Sequence, residues 1–193
     1  MPVHSMYLDR GWGYAPEYLH SVEASYGGRN HLADFIEVSH GNKLAVILDV
    51  VYNHFGAAEQ TDLWQFDGWN ENNMGGIYFY NDWRSSTPWG NTRPDYGRPE
   101  VQNYILDNAK MWINDFRVDG LRLDSTIYIR NVNGQDNDPS CDIPGSWKLL
   151  QDITRLSEHS NKPLTIIAED CGNNAHITKP ASEGGAGLNA QWD

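Results

Sequence analysis

Asp124 closes the run Asp119-Gly120-Leu121-Arg122-Leu123-Asp124, and Glu169 closes Leu164-Thr165-Ile166-Ile167-Ala168-Glu169. Each acid stands where an apolar, strand-like segment ends. Two carboxylates on neighbouring strand ends can flank a glycosidic bond, one attacking carbon and the other protonating oxygen. Arg122 precedes Asp124 by two positions, so on a strand both side chains face the same way. A guanidinium beside a carboxylate favours its ionised form, as a nucleophile requires. The same Arg–Asp pair read alone is equally a buried ion pair that fixes the fold. Glu169 ends an apolar strand, and apolar surroundings would keep a general acid protonated; alone it reads as well as a carboxylate capping a loop. Asp170, facing the other way, reads as solvated or structural. A third cluster, Asp49-Val50-Val51-Tyr52-Asn53-His54, lies upstream. Asp49 in mid-strand is costly to bury unpaired, and Arg122 would serve as its partner. His54 at a strand end can donate to sugar hydroxyls or play a structural part.

These residues need elements to hold them. Leu44–Val51 is an almost unbroken apolar run, as expected of a parallel strand buried on both faces. Before it, Leu32, Phe35 and Ile36 mark one helix face, with Gly41 as a stop. Pro99 can start the next helix, whose face carries Val101, Tyr104, Ile105, Trp112, Ile113 and Phe116. Strand Val118–Asp124 follows. A loop with Gly134, Pro139, Pro144 and Gly145 leads to a helix near Ser146–Ser157 bearing Trp147, Leu150 and Ile153. Then come strand Leu164–Glu169 and a weaker one, Leu188–Trp192. Strand–helix alternation implies parallel strands, in a barrel or an open doubly wound sheet. Polar residues at the strand ends (Asn53 and His54, Asp124, Glu169, and Asp193) favour a β/α barrel, whose sites lie at that end. A glycine-rich dinucleotide turn is absent. Between His54 and Pro99 runs a long aperiodic insert rich in aromatics, from Phe55 to Tyr96. That composition argues against disorder, and residues 55–98 are expected to form an ordered lobe over the barrel mouth.

Composition narrows the function. The 193-residue chain suffices for one domain with a real core. With 14 basic against 26 acidic residues and a net charge of −12, it lacks the clustered cations that nucleic acid demands. A neutral polymer would not be repelled. Neither a membrane-length apolar run nor a leader pattern is present. Cys141 and Cys171 make no disulfide framework or zinc motif, and they read as reduced thiols of a cytoplasmic enzyme. Cys171, just past Glu169, lines the site or simply packs. Eight tryptophans fill core and loop clusters or offer flat platforms for sugar rings.

Taken together and in order, the motifs resemble the alpha-amylase superfamily of glycoside hydrolases and transglycosylases. Val3 in Met1-Pro2-Val3-His4 resembles the end of that family's second barrel strand. Trp12-Gly13-Tyr14 is similar to the segment whose tyrosine stacks on the sugar at the cleavage point. Asp49–His54 matches the third strand's motif, Gly120–Asp124 the fourth and Ile166–Glu169 the fifth, while Ala190-Gln191-Trp192-Asp193 resembles the start of the sixth. Within the superfamily, Trp12–Tyr14, Asp49–Gly56, Thr87-Pro88-Trp89-Gly90 and Gly184–Asp193 look most like bacterial α-1,4-glucan branching enzymes and maltooligosyl trehalose trehalohydrolases.

The resemblance implies a retaining enzyme acting on α-1,4-glucan or maltooligosaccharide. Asp124 would be nucleophile, Glu169 general acid/base, and Arg122 the residue orienting Asp124. His54 and Tyr14 would hold the sugar, and Asp49 would pair with Arg122. Asn53 matches a position that binds calcium in many amylases. Relatives closer to this sequence often lack that ion, and no metal or cofactor is expected. The expected fold is a partial (β/α)8 barrel, about strands two to six, over residues 1–193. The family's third catalytic carboxylate, in a His-Asp pair on the seventh strand, has no match here, so the chain reads as an internal piece of a longer enzyme. Branching is the leading expectation, hydrolysis by the same mechanism the second, and a non-catalytic glucan-binding or interaction module the third.

Overall fold

The computed structural model describes residues 1–7, 12–158, 160 and 162–192. Its elements are strand β1 (His4–Met6), β2 (Pro16–Val22), helix α1 (Gly28–Gly41), β3 (Ile47–Val50), α2 (Pro99–Lys110), β4 (Gly120–Leu123), α3 (Thr126–Arg130), α4 (Ser146–Glu158), β5 (Thr165–Glu169) and β6 (Ala190–Trp192). Strands β3, β4, β5 and β6 form one parallel sheet in that order. Pro2 adds a parallel bridge to Asp49 at the β3 side. Sequential parallel strands with intervening helices make this an arc of a (β/α)8 barrel. Asp193 lies outside the described residues.

Alternation along the strands sorts the side chains. Leu48, Val50, Leu121, Leu123, Ile166 and Ala168 point outward and are buried in one core cluster with Ile36, Ile105, Trp112, Leu149, Leu150 and Ile153 from α1, α2, the turn after α2 and α4. Each fully buried Leu or Ile contributes about 1.5–3 kcal/mol. The opposite face carries a row set by the register: Asp49 pairs with Arg122, Arg122 with Ile167, and Ile167 with Ala190. Close strand approach requires Gly120, because a Cβ there would meet the Thr165 carbonyl oxygen at 2.3 Å.

The strands are shorter than the apolar runs suggested, and β3 is not buried on both faces. Leu44 precedes β3, and Ile47 is 46% exposed on the inner side. On α1, Leu32 and Ile36 are buried while Phe35 is 60% exposed. Phe35 turns instead toward a groove it shares with Tyr26, Leu44 and Ile47. The helix from Pro99 continues as a π-turn over Met111–Asp115, and this keeps Trp112 and Ile113 buried. Two features carried no sequence signal: the short antiparallel pair β1–β2, with Met6 opposite Pro16, and the one-turn helix α3. The three residues of β1 are too few for a period-2 pattern to show.

The insert is ordered and closes on itself. The Phe55 amide donates to the Thr92 carbonyl at 3.1 Å, and Phe79 bridges Pro94. Phe55, Phe79, Tyr80 and Tyr96 are buried in the common core. Tyr96 Oη donates to the Tyr52 carbonyl at 2.7 Å. Buried Arg93 donates to the carbonyls of Arg84, Ser86 and Val132, tying the insert to the segment after α3.

At the opposite end of the strands, Asp119 fastens the connections before β3 and β5 through three partners. Its Oδ2 accepts from the Val46 amide at 2.7 Å and from His40 Nε2 at 2.8 Å, and its Oδ1 accepts from Lys162 Nζ at 3.0 Å. Burial alone would raise this carboxyl, but the Val46 amide, the His40 ring and the Lys162 ammonium outweigh it and bring it down to about 2. A depressed folded-state pKa stabilises the protein above the unfolded value near 3.9 and is lost as pH falls toward 2. Asp119→Asn in the natural polypeptide should therefore cost about 2 kcal/mol near neutral pH. The deficit should shrink between pH 4 and 2 in denaturant titrations. A deficit unchanged across that window would contradict this reading.

Candidate active site

The segments that reach the C-terminal strand ends converge on Arg122. Its Nη1 donates to Asp49 Oδ1 at 2.5 Å and to Asp124 Oδ1 at 2.9 Å, and its Nη2 lies 2.8 Å from Glu169 Oε2. Three carboxylates from three adjacent strands thus share one guanidinium. The register explains it. Asp49 and Arg122 are direct cross-strand partners, while Asp124 and Glu169 each follow the paired Leu123 and Ala168. The aromatic rings of Tyr14 and Trp192 flank the guanidinium, with centroids 5.9 and 5.4 Å from its carbon.

Asp124 is buried and oriented from two sides. Besides Arg122, Asn53 Nδ2 donates to Asp124 Oδ2 and to the Asp124 backbone carbonyl oxygen, both at 2.8 Å. Arg122 was expected to depress this carboxyl. It does act in that direction, as does Asn53, but burial is the larger effect, and Glu169 and Asp49 add repulsion. The result is a pKa raised to about 6. Asp124 is still mainly ionised near pH 7.

Glu169 does not sit in the apolar surroundings expected for it. Ile166 and Ala168 are on the buried outer face, whereas Glu169 points the other way and its side chain is 24% exposed. Its Oε2 accepts from the Ser125 amide at 2.8 Å and from Ser125 Oγ at 3.3 Å. Ser125 adopts a left-handed backbone, φ 40°, that turns its amide toward Glu169. Asp170 is not solvated but fully buried. Arg130 Nε and Nη2 reach its two oxygens at 2.9 and 2.7 Å, and Thr126 Oγ1 donates to it at 2.9 Å.

The remaining site residues come from the β3 side. Tyr14 Oη donates to Asp49 Oδ2 at 2.6 Å, and its pKa is pushed up to about 12 by burial and then by Asp49. Two buried histidines hold the Tyr14 loop, His4 Nε2 on the Gly13 carbonyl and His54 Nε2 on the Tyr14 carbonyl, each at 2.8 Å. Burial pushes both imidazoles down to about 4, so each is neutral near pH 7 and donates from Nε2. The other His54 nitrogen lies against Asn53 Oδ1. Trp89 stacks on the His54 ring at 4.5 Å and meets Tyr128 edge-on at 5.2 Å. Asn53, the residue at a calcium-matching position, spends its amide on Asp124. Among the described residues no group of three or more His, Cys, Asp or Glu could hold a metal.

All seven candidate residues (Tyr14, Asp49, Asn53, His54, Arg122, Asp124 and Glu169) therefore belong to one connected set. Sequence reasoning missed Ser125, His4 and the Arg130–Asp170 pair. Ser125 directly follows Asp124, but nothing in its type announces a strained turn, and the others act across long sequence separations. The loop tryptophans divide: Trp64 packs against the core, Trp69 carries Arg98 over its ring at 5.0 Å, and Trp83 is 57% exposed.

The raised Asp124 carboxyl has a thermodynamic consequence. A folded pKa above the unfolded 3.9 favours the fold at low pH, and that contribution is lost as pH rises through about 6. Asp124→Asn removes the titration. Its stability relative to the parent should rise between pH 4 and 7, by up to about 2–3 kcal/mol. Chemical denaturation at several pH values checks this; a flat difference would show that the burial of Asp124 carries no such penalty.

Comparison with known proteins gives a consistent set of relatives. A family profile described as "Alpha amylase, catalytic domain" matches residues 2–186. A 1,4-alpha-glucan branching enzyme of Francisella tularensis subsp. novicida is 34% identical over 203 aligned residues, covering 100% of this chain and 31% of the relative. Another, from Clostridium perfringens strain SM101, is 31% identical and covers 100% of this chain and 30% of its own length. A crystal structure of a candidate alpha amylase from Salmonella typhimurium superposes with a TM-score of 0.74 at 27% identity, over 100% of this chain and 29% of that one. The chain thus spans about 30% of the length of the proteins it matches.

Proposed function

This chain belongs to the alpha-amylase catalytic-domain family, and from that premise we propose that it carries the acids of a retaining α-1,4-glucan enzyme of the branching type. The observation that carries the proposal is the single Arg122 guanidinium holding Asp124 and Glu169 side by side at adjacent strand ends. A retaining pair must stand close, about 5–5.5 Å between carboxyl groups. Asp124, ionised and oriented by Arg122 and Asn53, attacks the anomeric carbon. The bond from that carbon to the leaving chain breaks, and Glu169 gives its proton to the departing oxygen. In the second half, an acceptor hydroxyl attacks the same carbon, the ester to Asp124 breaks, and the hydroxyl proton passes to Glu169. Asp49 and Tyr14 hold Arg122 and frame the donor sugar. His54 acts on that sugar by fixing the Tyr14 loop.

Branching, in which the acceptor is the 6-hydroxyl of another glucan, is favoured by the names of the relatives in Francisella and Clostridium. The half-exposed indoles of Trp83 and Trp89 also support it, since they offer stacking surface beyond one sugar. We read residues 55–98 as an inserted lobe of a single catalytic domain. No helix among the described residues is long and apolar enough to cross a membrane. A chain with two cysteines fits a reducing, cytoplasmic compartment.

The test is incubation of the natural full-length polypeptide with amylose. Branching lowers iodine staining with few new reducing ends, and a debranching enzyme then releases short chains. New reducing ends without branch points would make it a hydrolase, and free trehalose released from maltooligosyl trehalose would identify which one. Asp124→Asn should lower turnover by at least ~10³-fold, because catalytic groups act as a unit. A mechanism-based inhibitor that still labels this variant at another residue would remove Asp124 from its role.

A further inference from the structure

The carboxyl of Glu169 is held by one oxygen only. Every polar contact it makes among the described residues falls on Oε2. The Ser125 amide donates to that oxygen at 2.8 Å, Ser125 Oγ donates to it at 3.3 Å, and Arg122 Nη2 lies 2.8 Å away. Two of these three contacts come from one residue, placed just past β4 rather than on β5. An oxygen that accepts from an amide and a guanidinium has its lone pairs engaged and leaves no room for a proton of its own. A proton on Glu169 therefore belongs on Oε1. Among the described residues, the buried side-chain polar atoms without a partner are Tyr80 Oη, Arg93 Nη1 and Arg122 Nε, so the unbonded Oε1 is reachable from solvent.

Ser125 gives up two ordinary sources of stability to make these bonds. It directly precedes α3, where a serine hydroxyl commonly accepts from an amide of the first turn. No such cap forms, and the hydroxyl is turned onto Glu169 instead. Its backbone is left-handed, φ 40° and ψ 56°, a region sparsely populated by residues that carry a side chain. The turn is clamped on both sides: the Asp124 amide donates to the Val50 carbonyl, and the Tyr128 amide donates to the Ser125 carbonyl, each at 2.9 Å. The backbone around Glu169 is fixed separately. Thr126 Oγ1 lies 2.9 Å from the Glu169 carbonyl oxygen, and the Asp170 amide donates to the Trp192 carbonyl at 2.9 Å. What the strained turn adds is therefore the orientation of the Glu169 carboxyl.

We propose that Ser125 is the positioning residue of the acid/base: its left-handed turn and its hydroxyl pin Glu169 Oε2, so that Oε1 carries the proton to the glycosidic oxygen. The proposal rests on the assignment of Asp124 and Glu169 as a retaining pair. Asp124, although adjacent in sequence, takes its orientation from Arg122 and Asn53. The Ser125 bonds thus act on proton transfer and leave the nucleophile to other partners.

The test uses the natural full-length enzyme with two donors, amylose and α-maltotriosyl fluoride. On the fluoride, Asp124 attacks the anomeric carbon, the carbon–fluorine bond breaks, and fluoride leaves as the anion without a proton from Glu169. Amylose needs that proton. Ser125→Val opposes the left-handed turn, since β-branched residues rarely adopt it. It should lower kcat on amylose about 100-fold, while first-turnover fluoride release stays within about three-fold of the parent. Ser125→Gly adopts the turn freely and loses only the hydroxyl. It should lose about five-fold on amylose and nothing on first-turnover fluoride release. If Ser125→Val does not fold, the selective loss in Ser125→Gly decides the matter. Equal losses on both donors would mean that Ser125 supports the fold or Asp124, and no loss on amylose would mean that Glu169 needs no such anchor; either result overturns the proposal. A parent enzyme that releases no fluoride would instead remove the retaining assignment beneath it. Independently of turnover, neutron diffraction from crystals of the natural enzyme at acidic pH should place the Glu169 deuteron on Oε1. A deuteron on Oε2 would overturn the assignment of the proton-carrying oxygen.

Discussion

The site depends on one guanidinium. Arg122 stands on the central part of a parallel sheet and faces carboxylates from β3, from its own strand end and from β5. Three negative groups packed this closely repel one another, and a cation between them is what lets them coexist in a partly buried place. The planar fork matters as much as the charge. One arm serves Asp49 and Asp124 and the other serves Glu169, a division that a lysine ammonium could not reproduce. The cost is visible at Asp124, whose burial outweighs even this neighbour and leaves its carboxyl near 6.

Around that cation, polar groups that could be free for substrate are spent on orientation. His4 and His54 are buried and neutral, and each secures one carbonyl of the Gly13–Tyr14 segment. That segment arrives from the β1–β2 pair, so a short antiparallel ribbon outside the barrel sheet brings Tyr14 over Asp49. Asn53 plays the corresponding part for Asp124. The aromatic insert meets the same machinery through Trp89, which stacks on His54 and touches Tyr128. The insert and the segments that follow β3 and β4 meet at that ring.

The other end of the strands does different work. Asp119 gathers an amide, an imidazole and an ammonium from the connections before β3 and β5. The acids at one end carry a burial penalty, whereas the acid at the other stabilises the fold. This is the division expected of a β/α barrel, with function at the C-terminal strand ends and stability at the N-terminal ends.

The sequence by itself determined the strand–helix alternation, the parallel sheet, and Asp49, His54, Arg122, Asp124 and Glu169 as candidates at its C-terminal edge, while the family resemblance added Tyr14 and Asn53. Period-2 spacing placed Arg122 and Asp124 on one face, and apolar runs located β3, β4 and β5 to within a few residues. Such signals are local, and local patterns survive in one dimension. Tertiary structure alone decided the rest. That Ile166 and Ala168 turn away from Glu169, leaving it among donors, follows from which face the helices cover. That Asp124 is raised rather than depressed follows from a balance of burial against two hydrogen-bonding partners. Neither quantity exists until the chain is packed. The Ser125 turn, the His4 clasp across nine residues and the Arg130–Asp170 pair across forty have no periodicity to announce them. They arise only where strands distant in sequence become neighbours, because hydrogen bonds and charge pairs act over a few ångströms of space and take no account of distance along the chain.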